Sequence, residues 1–434
     1  MIIFKENKIK LKSAPIKKRL LGEGLWVASG QIMAALGLLI GTRFLTEYFP
    51  PAVFGKVNLL LGVSAFFYSL LCVPLMQAMF KLYPTMSGEG KVPHLRRNIT
   101  SLLSRITGSL VIIILLTGGI YSFIYETSIW IFIILAGLLA VDVTRGTETN
   151  FFSAARRHKP FALWISAEAW LRPAIAILLL GFFNVEAQTL LFGYLIASSI
   201  IILIYFIFIK REGVAEEANK AKIDKQLVQE IKQYALPLMP LAVLGWISGL
   251  SDRYFIGGLI GFEQVGIYAA IYGLISRPFL MLSTIMDYTL RPLYFDAIYK
   301  EDKVLEKKTF RYWILFVILA CFSGVLVVAI FSDTIVYILL AEKYRSGSQL
   351  IPWIAIGYSL FVISQVFEKP CYAYKKTNFI LAIQITGAIA SFCIEIPAIY
   401  YFGLIGAAMA IPIYFSIQLV TSIYCAKKVL GDFI

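Results

Sequence analysis

Charged residues are scarce in this chain, and their scarcity excludes most soluble folds. Asp, Glu, Lys and Arg make up 15% of the 434 residues, 59% are hydrophobic, and the mean hydropathy is +0.78. A soluble domain typically carries about 25% charged residues. Apolar stretches long enough to cross a hydrocarbon core of about 30 Å recur from end to end. The composition therefore predicts an all-α polytopic membrane protein with no sizeable soluble domain between its spans.

Cysteine and histidine are also rare. The two histidines, His94 and His158, fall in basic loops, and the five cysteines lie within or at the ends of apolar segments. The cysteines show no C-x-x-C spacing, which favours small apolar packing residues over metal ligands or disulfides. The sequence thus gives no support for a metal site or a resident cofactor.

The N-terminus is basic but does not have the pattern of a cleaved secretory signal. Seven Lys and Arg residues lie between Lys5 and Arg19. The apolar run from Gly22 to Leu45 is too long for the hydrophobic region of a signal peptide, and it has no small-residue cleavage site. We expect residues 1–21 to be a cytoplasmic tail and the run that follows to be the first retained helix.

Hydropathy divides the rest of the chain into twelve predicted transmembrane segments. The apolar stretch 334–340 is too short to span and is predicted to be interfacial. The map implies a first six-helix bundle at 22–209, a solvated and partly helical connector at 210–233, a second bundle at 234–425 and a cytoplasmic tail at 426–434. The predicted segments are 22–46, 53–80, 99–123, 129–152, 161–182, 187–209, 235–259, 265–290, 312–331, 350–368, 379–401 and 403–425.

Lys and Arg are distributed unevenly between the two sides of this map. With the N-terminus inside, the inward segments hold 31 of the 40 Lys and Arg residues, and the outward loops hold only Lys343 and Arg345. Positive residues concentrate in the cytoplasmic loops of membrane proteins. The asymmetry predicts that both termini are cytoplasmic. Contact with anionic membrane lipid explains the net charge of +14, so no nucleic-acid partner is required.

An internal repeat relates the two bundles. Residues 42–45 (TRFL) resemble 252–255 (DRYF), 210 residues later, and residues 54–57 (FGKV) resemble 265–268 (VGIY), 211 residues later. Each repeat holds six helices, an even number, so the two halves have the same orientation. Such parallel repeats are related by an axis along the membrane normal, and transporters with this plan bind substrate between the halves. We therefore expect a central cavity.

One stretch of the second repeat resembles a known family. Residues 251–258 (SDRYFIGG) and 265–270 (VGIYAA) are similar to the start of the second half of bacterial polysaccharide-biosynthesis membrane proteins. These are O-antigen-type flippases of the multidrug/oligosaccharidyl-lipid/polysaccharide exporter superfamily. Residues 43–55 and 341–352 resemble the same family.

The resemblance implies a V-shaped pair of six-helix bundles around a central, often cationic cavity. It implies a location in the bacterial inner membrane, with other polysaccharide assembly proteins as partners. It also implies that the substrate is an undecaprenyl-diphosphate-linked oligosaccharide, an intermediate of surface polysaccharides such as lipopolysaccharide. The family turns this substrate from the inner to the outer leaflet.

Arg277 is the leading candidate for contact with such a substrate. A charge at membrane depth costs at least about 2.5 kcal/mol and should face the bundle interior. Arg277 lies near the middle of the eighth predicted helix, without an acidic residue within four positions, and Pro278 predicts a kink beside it. Its partner is either a carboxylate of another helix or an anionic ligand. The guanidinium fork suits a diphosphate because it donates two hydrogen bonds.

Arg172 and Arg145 are further candidates for substrate binding, but each has an acidic neighbour. Glu168 lies one helical turn before Arg172, so a local ion pair competes with substrate contact. Asp142, Arg145 and Glu148 are spaced three apart on the fourth helix. We expect these three residues to share a face and to neutralise one another in part.

Arg43 and Arg253 complete the candidate set, at equivalent places in the two repeats near the outer ends of helices one and seven. They are expected either to reach the outer headgroups or to form a symmetric pair at the outer mouth of the cavity. Asp142, Asp252 and Glu395 are candidates for coupling to a proton or sodium gradient, because burial favours the neutral form of a carboxyl group.

Three functions fit the sequence to different degrees. A flippase for lipid-linked oligosaccharide fits best and requires no covalent chemistry. A cation-coupled multidrug antiporter of the same superfamily is the first alternative, although a cavity for cationic drugs should be acidic. A membrane glycosyltransferase or polymerase is the second alternative. Its site would need a large outer loop, and the longest one here is only about 332–349.

The predicted topology can be tested by cysteine labelling in a background without native cysteines. Glu186→Cys and Lys343→Cys should react with an impermeant maleimide added to intact spheroplasts, because both positions lie in outward loops. His158→Cys should react only after the membrane is permeabilised. Labelling of position 158 in intact spheroplasts would reject the orientation.

Overall fold

A computed structural model describes residues 16–126, 128–209 and 221–431, and this part of the chain is helical apart from short turns. The residues outside the described ranges are positions 1–15 of the predicted tail, position 127, positions 210–220 of the predicted connector, and the last three residues. The helices below are numbered in chain order.

The first half contains seven helical pieces that form six spans. A π-helical turn, Tyr68–Cys72, joins α2 to α3, so these two helices together form one membrane span. The helices are α1 (Ile16–Tyr48), α2 (Pro51–Phe67), α3 (Val73–Gly88), α4 (Val92–Tyr125), α5 (Trp130–Ala154), α6 (His158–Leu178) and α7 (Ala187–Ile209).

The second half begins with a short helix and ends with a very long one. A 3₁₀ segment, Glu342–Leu350, precedes α13. The helices are α8 (Lys225–Ala235), α9 (Met239–Leu259), α10 (Phe262–Tyr299), α11 (Lys303–Ile330), α12 (Ser332–Leu339), α13 (Ile351–Ala373) and α14 (Thr377–Leu430). The eight-residue α12 covers the stretch that was predicted to be too short to span.

Helix α14 is two antiparallel helices that meet at Gly403. Gly403 has φ 60° and ψ −141°, a conformation that glycine adopts readily and other residues rarely. A Cβ on Gly406 would lie 1.9 Å from the carbonyl oxygen of Ala398. In a straight helix, residues eight positions apart are separated by about 12 Å along the axis, so the chain must turn back between these two residues. Eleven helices of the described residues are long and apolar enough to cross a membrane. Division of α14 gives the predicted twelve.

Several helices extend further than predicted at their inner ends, meaning the ends predicted to face the cytoplasm. The third span begins at Val92 instead of 99, and the eighth runs from Phe262 to Tyr299 instead of 265–290. Hydropathy detects only the apolar part of a helix, whereas the backbone hydrogen bonds continue into its polar end. Arg96 and Lys369, predicted in loops, therefore lie on α4 and α13. Helix α10 remains helical on both sides of Pro278.

The described part of the connector folds onto the first half. Asp224 caps α8 by accepting hydrogen bonds from the backbone N–H groups of Gln226 and Leu227, at 2.9 and 3.4 Å. Leu227 and Ile231 on the apolar face of α8 are buried in a cluster with residues of α3 and α4. The backbone N–H of Asp224 donates to Oδ1 of Asn98 on α4, at 3.0 Å.

The two halves approach most closely at the glycines of the internal repeat. A Cβ on Gly55 of α2 would lie 2.0 Å from the carbonyl oxygen of Phe262, and one on Gly266 of α10 would lie 1.9 Å from that of Pro51. The helices thus cross in backbone contact, which requires residues without side chains. The contact explains why the repeat keeps glycine at both positions.

A second contact closes the predicted outer end between the halves. The backbone N–H of Ala341 donates to Oγ1 of Thr46 at 3.1 Å, and the Tyr344 hydroxyl donates to the carbonyl oxygen of Phe49 at 2.8 Å. Tyr344 is fully buried and meets the Phe54 ring edge-on. The segment before α13 therefore seals the outer ends of α1 and α2.

Substitution of Gly266 should disturb this closed arrangement specifically. The methyl group of Gly266→Ala would overlap the Pro51 carbonyl, and overpacking of this kind costs about 1–3 kcal/mol. The halves should separate at the outer end, so Ala270→Cys in the cavity should react faster with an impermeant maleimide from outside.

Gly108→Ala is the matched control, because a Cβ at Gly108 meets no atom within 4 Å. It should leave the labelling rate of Ala270→Cys unchanged. Equal rates in the Gly266→Ala and Gly108→Ala backgrounds would show that the glycine contact does not hold the outer end closed.

Candidate functional site

A cavity of about 530 Å³ lies between the two halves, lined by α1, α2, α5, α6 and α7 of the first half and by α9 and α10 of the second. Four arginines and one glutamate supply its charged lining, so the lining is net positive. Four of the five arginines predicted to bind substrate therefore meet at one cavity, although their contact with substrate stays a prediction. The charged lining residues are Arg145, Glu168, Arg172, Arg253 and Arg277.

The cavity continues along α10 towards the predicted inner end. A second space of about 680 Å³ shares Leu280 and Thr284 with the first and reaches Asp287 and Arg291. These residues and Arg277 recur every three or four positions, so they follow one face of the helix. Arg277 and Arg291 are separated by about 21 Å along the axis, at 1.5 Å per residue. A polar path thus leads from the inner end of α10 to the centre of the bundle.

Arg277 is exposed to this cavity and lacks an ion-pair partner. No carboxylate in the described parts of the chain lies within salt-bridge or hydrogen-bond distance of its guanidinium group. The titratable groups near it are the neutral Tyr358 hydroxyl and a second cation, Arg253. Within the described residues, a carboxylate of another helix is therefore not the partner of Arg277, and contact with an anionic ligand stays a prediction.

Arg145 and Arg172 belong instead to a cluster of two arginines and two carboxylates. Nη2 of Arg172 lies 2.6 Å from Oε1 of Glu168, as the spacing of one turn predicts, and 2.7 Å from Oδ1 of Asp142. Nη1 of Arg145 lies 3.2 Å from both Glu168 oxygens, and its Nε lies 3.5 Å from Asp142. The cluster is neutral when all four groups are ionised.

Glu148 is not part of this cluster, which corrects the expectation that it neutralises Arg145 in part. Its carboxylate accepts two hydrogen bonds from Nη2 of Arg96, at 2.6 and 2.7 Å, and another from the Tyr205 hydroxyl. Arg96 reaches Glu148 because α4 begins seven residues earlier than predicted.

Arg43 is also placed differently from the prediction of a symmetric outer pair with Arg253. It forms an ion pair with Glu47, one turn along α1, and is not among the cavity-lining residues. Its equivalent in the second repeat, Arg253, is buried and does line the cavity. The two repeats therefore use this position for different purposes.

Asp252 and Glu395 lie together beside Arg253 in the second half. Glu395 accepts a hydrogen bond from the Ser251 hydroxyl at 3.1 Å, and Asp252 accepts one from the Tyr268 hydroxyl at 2.6 Å. Both carboxyl groups are buried, at 1% and 2% exposure. Asp252 also accepts a hydrogen bond from the backbone N–H of Arg253 at 2.7 Å. This region of the second half thus holds one arginine and two carboxyl groups, which leaves one negative charge in excess if all three are ionised.

Arg253 itself has spare hydrogen-bonding capacity. Its guanidinium lies 4.7 Å from the centre of the Tyr272 ring, and Nη1 donates to the carbonyl oxygen of Gly249 at 3.3 Å. Its Nε–H is buried without a partner among the described residues. The Arg253 guanidinium therefore lies at the cavity wall with one hydrogen-bond donor unused among the described residues.

Sequence reasoning missed the ion pair between Lys369 of α13 and Asp287 of α10. Their charged atoms are 2.7 Å apart on the wall of the inner space. Lys369 was assigned to a loop because the predicted tenth span ends one residue before it. Asp287 lies within the predicted eighth span, so its carboxylate at membrane depth was a signal available in the sequence.

Comparison with known proteins identifies the family of this chain. The family model described as polysaccharide biosynthesis protein matches residues 20–297, which is more than half of the chain. The chain therefore belongs to the polysaccharide biosynthesis protein family, as the resemblance in the sequence implied. No curated protein sequence matches it.

Solved transporter structures share the fold of the whole chain. A mutant of the Vibrio cholerae MATE transporter VcmN superposes with a TM-score of 0.69 at 12% identity, covering 96% of this chain and 98% of that one. A MOP superfamily transporter from Pyrococcus furiosus gives 0.68 at 13% identity, covering 96% of each. The lipid II flippase MurJ, in an inward closed conformation, gives 0.64 at 14%, covering 94% and 87%. The predicted plan of two six-helix repeats is confirmed.

Proposed function

We propose that the protein is a flippase for a lipid-diphosphate-linked oligosaccharide, such as an O-antigen or another surface polysaccharide repeat unit. It would move this substrate from the inner to the outer leaflet of the bacterial inner membrane by alternating access. The observation that carries the proposal is Arg277, an arginine without an ion-pair partner in the described structure, exposed in a net positive cavity between the halves. A diphosphate supplies the missing negative charge.

The shape of the cavity supports this direction of movement. The predicted outer end is closed by the glycine contact between α2 and α10 and by Tyr344, whereas the polar path along α10 continues inwards. A headgroup that enters along this path meets Arg291 first and Arg277 deeper in the bundle. Both termini are then cytoplasmic, and other polysaccharide assembly proteins act on the substrate before and after transport.

The alternatives fit the site less well. A multidrug antiporter that binds cations favours an acidic cavity, whereas four of the five charged lining residues here are arginines. A glycosyltransferase or polymerase needs a site on the outer surface. In the longest outer segment, Ala341 and Tyr344 are used to close the interface between the halves. The family and the structural neighbours are transporters, and the proposed function needs no catalytic residue and no resident cofactor.

Replacement of Arg277 by Ala should abolish export of the oligosaccharide lipid while the amount of protein in the membrane stays near normal. The group has no ion-pair partner in the described structure, so its loss leaves no carboxylate uncompensated. Arg277→Lys should restore export in part, because it keeps the charge but loses the two-pronged fork. Export is measured as surface polysaccharide, and abundance by immunoblot of membranes.

Arg172→Ala is the contrasting control. It removes one of the two arginine partners of Glu168 and of Asp142 and leaves one negative charge of the cluster uncompensated, so the protein should lose up to about 3–5 kcal/mol of stability and its abundance should fall. Normal export by a well-expressed Arg277→Ala variant would overturn the proposed role of Arg277.

Coupling to a proton or sodium gradient is the second part of the proposal, and the carboxyl pair Asp252 and Glu395 is its best candidate. The pair has one excess negative charge over Arg253 when ionised, which favours uptake of a proton or a cation. Asp142 is the weaker candidate, because Arg145 and Arg172 both hold its negative charge.

The coupling proposal predicts different behaviour for matched neutral variants. In proteoliposomes, Glu395→Gln and Asp252→Asn should transport at a rate that no longer depends on an imposed pH or sodium gradient. Asp142→Asn should keep the gradient dependence of the wild type. Unchanged dependence in both variants of the carboxyl pair would remove the pair as the coupling site.

A further inference from the structure

We propose that Glu168 is an internal counter-anion that competes with the bound substrate for Arg145 and Arg172, and so sets how fast substrate is released. This inference rests on the proposed function, because it assumes that the substrate presents an anionic headgroup to the cavity. The proposed function assigns no role to Glu168.

The position of Glu168 fits such competition. Its carboxylate is only 7% exposed, yet it is part of the cavity lining between the two arginines. It holds Arg172 at 2.6 Å and Arg145 at 3.2 Å, and it accepts a weaker hydrogen bond from the Ser198 hydroxyl at 3.3 Å. The same guanidinium faces would meet an anion that enters the cavity.

Asp142 contacts the same two arginines but is not among the cavity-lining residues. Its oxygen lies 2.7 Å from Nη2 of Arg172 and 3.5 Å from Nε of Arg145. Displacement of Glu168 by a ligand would therefore leave each arginine with Asp142 as a carboxylate partner. Of the two carboxylates, Glu168 is the one that an anion in the cavity would meet.

The charge balance gives this arrangement its consequence. Two arginines and two carboxylates make this cluster neutral, so its buried charges compensate one another when no substrate is bound. A diphosphate attracted by Arg277 gains Arg145 and Arg172 only by displacing Glu168. A cavity in which all three arginines were unpaired would hold the diphosphate tightly, because charge-assisted bidentate bonds are strong. Return of Glu168 to its arginines helps the headgroup to leave.

The test measures binding of farnesyl diphosphate, a soluble lipid diphosphate, to purified protein in nanodiscs, with farnesol as the uncharged counterpart. Glu168→Gln should bind farnesyl diphosphate more tightly by about three- to tenfold, the range expected when one partly buried charge pair is removed. It should also dissociate more slowly and transport more slowly at saturating substrate. Farnesol binding should not change.

Glu148→Gln is the matched control, because it neutralises a buried glutamate of the same half that is bound to Arg96 and is not among the cavity-lining residues. Its affinity for farnesyl diphosphate should equal that of the wild type. Unchanged or weaker binding of farnesyl diphosphate by Glu168→Gln would overturn the inference. If the wild-type protein still binds farnesyl diphosphate in that case, the proposed function stands. Absence of diphosphate-specific binding by the wild type overturns both.

Glu168→Asp keeps the inference testable if Glu168→Gln does not purify as a monodisperse protein. The shorter side chain keeps the charge but withdraws the carboxylate from Arg145 and Arg172, so affinity should rise by a smaller factor than in Glu168→Gln. Wild-type affinity in a well-folded Glu168→Asp protein, checked by its thermal unfolding midpoint, would contradict the competition.

Discussion

The cost of placing charge in hydrocarbon decides how the interior of this protein is arranged. A buried ion is stable only when it is paired, hydrated or bound to a ligand, because desolvation costs several kcal/mol. The first half satisfies its ions internally, through the Asp142 cluster and the Arg96–Glu148 pair. The second half leaves an imbalance, with Arg277 unpaired within the described structure and with Asp252 and Glu395 buried near Arg253. Of these groups, Arg253 and Arg277 line the cavity and make its second wall positive.

This division contrasts with the sequence repeat that relates the halves. The repeat preserves backbone features, most clearly the glycines at 55 and 266, which let α2 and α10 cross in direct contact. It does not preserve the charges, since Arg43 pairs with Glu47 whereas Arg253 is buried at the cavity. The two repeats therefore share a backbone geometry at their crossing but differ in the charges that they place at the cavity.

Much of the fold and part of the site followed from the sequence, for physical reasons. The thickness of the hydrocarbon core fixes the length of an apolar run, so the twelve spans, the short stretch at 334–340 and the break near 403 were all predictable. Burial of charge identified the arginines that line the cavity. The ion pair between Arg172 and Glu168 was visible because both groups lie on one helix, a turn apart.

Pairs between helices were not predictable. Arg96 and Glu148 are 52 residues apart, and Lys369 and Asp287 are 82 apart, so no local spacing connects them. The polar ends of the helices were not predicted for a different reason. A hydropathy profile detects only the apolar residues of a helix, so the predicted span stops where those residues stop. Because the spans were predicted too short, Arg96 and Lys369 were assigned to loops and were not considered as partners of carboxylates within the membrane.

The packing of α8 against the first half places the boundary between the two halves after α8 and not before it. Because Leu227 and Ile231 pack among residues of α3 and α4, this helix is attached to the first half although the chain has already left it. The junction between the halves is then the 3₁₀ turn Leu236–Leu238, with Pro237 inside it and Pro240 just beyond. In the proposed transport cycle, such a junction would act as a short pivot instead of a loose tether. A chain cut just before α8 would therefore leave the second fragment with its own docking helix, able to rejoin the first bundle without a covalent link.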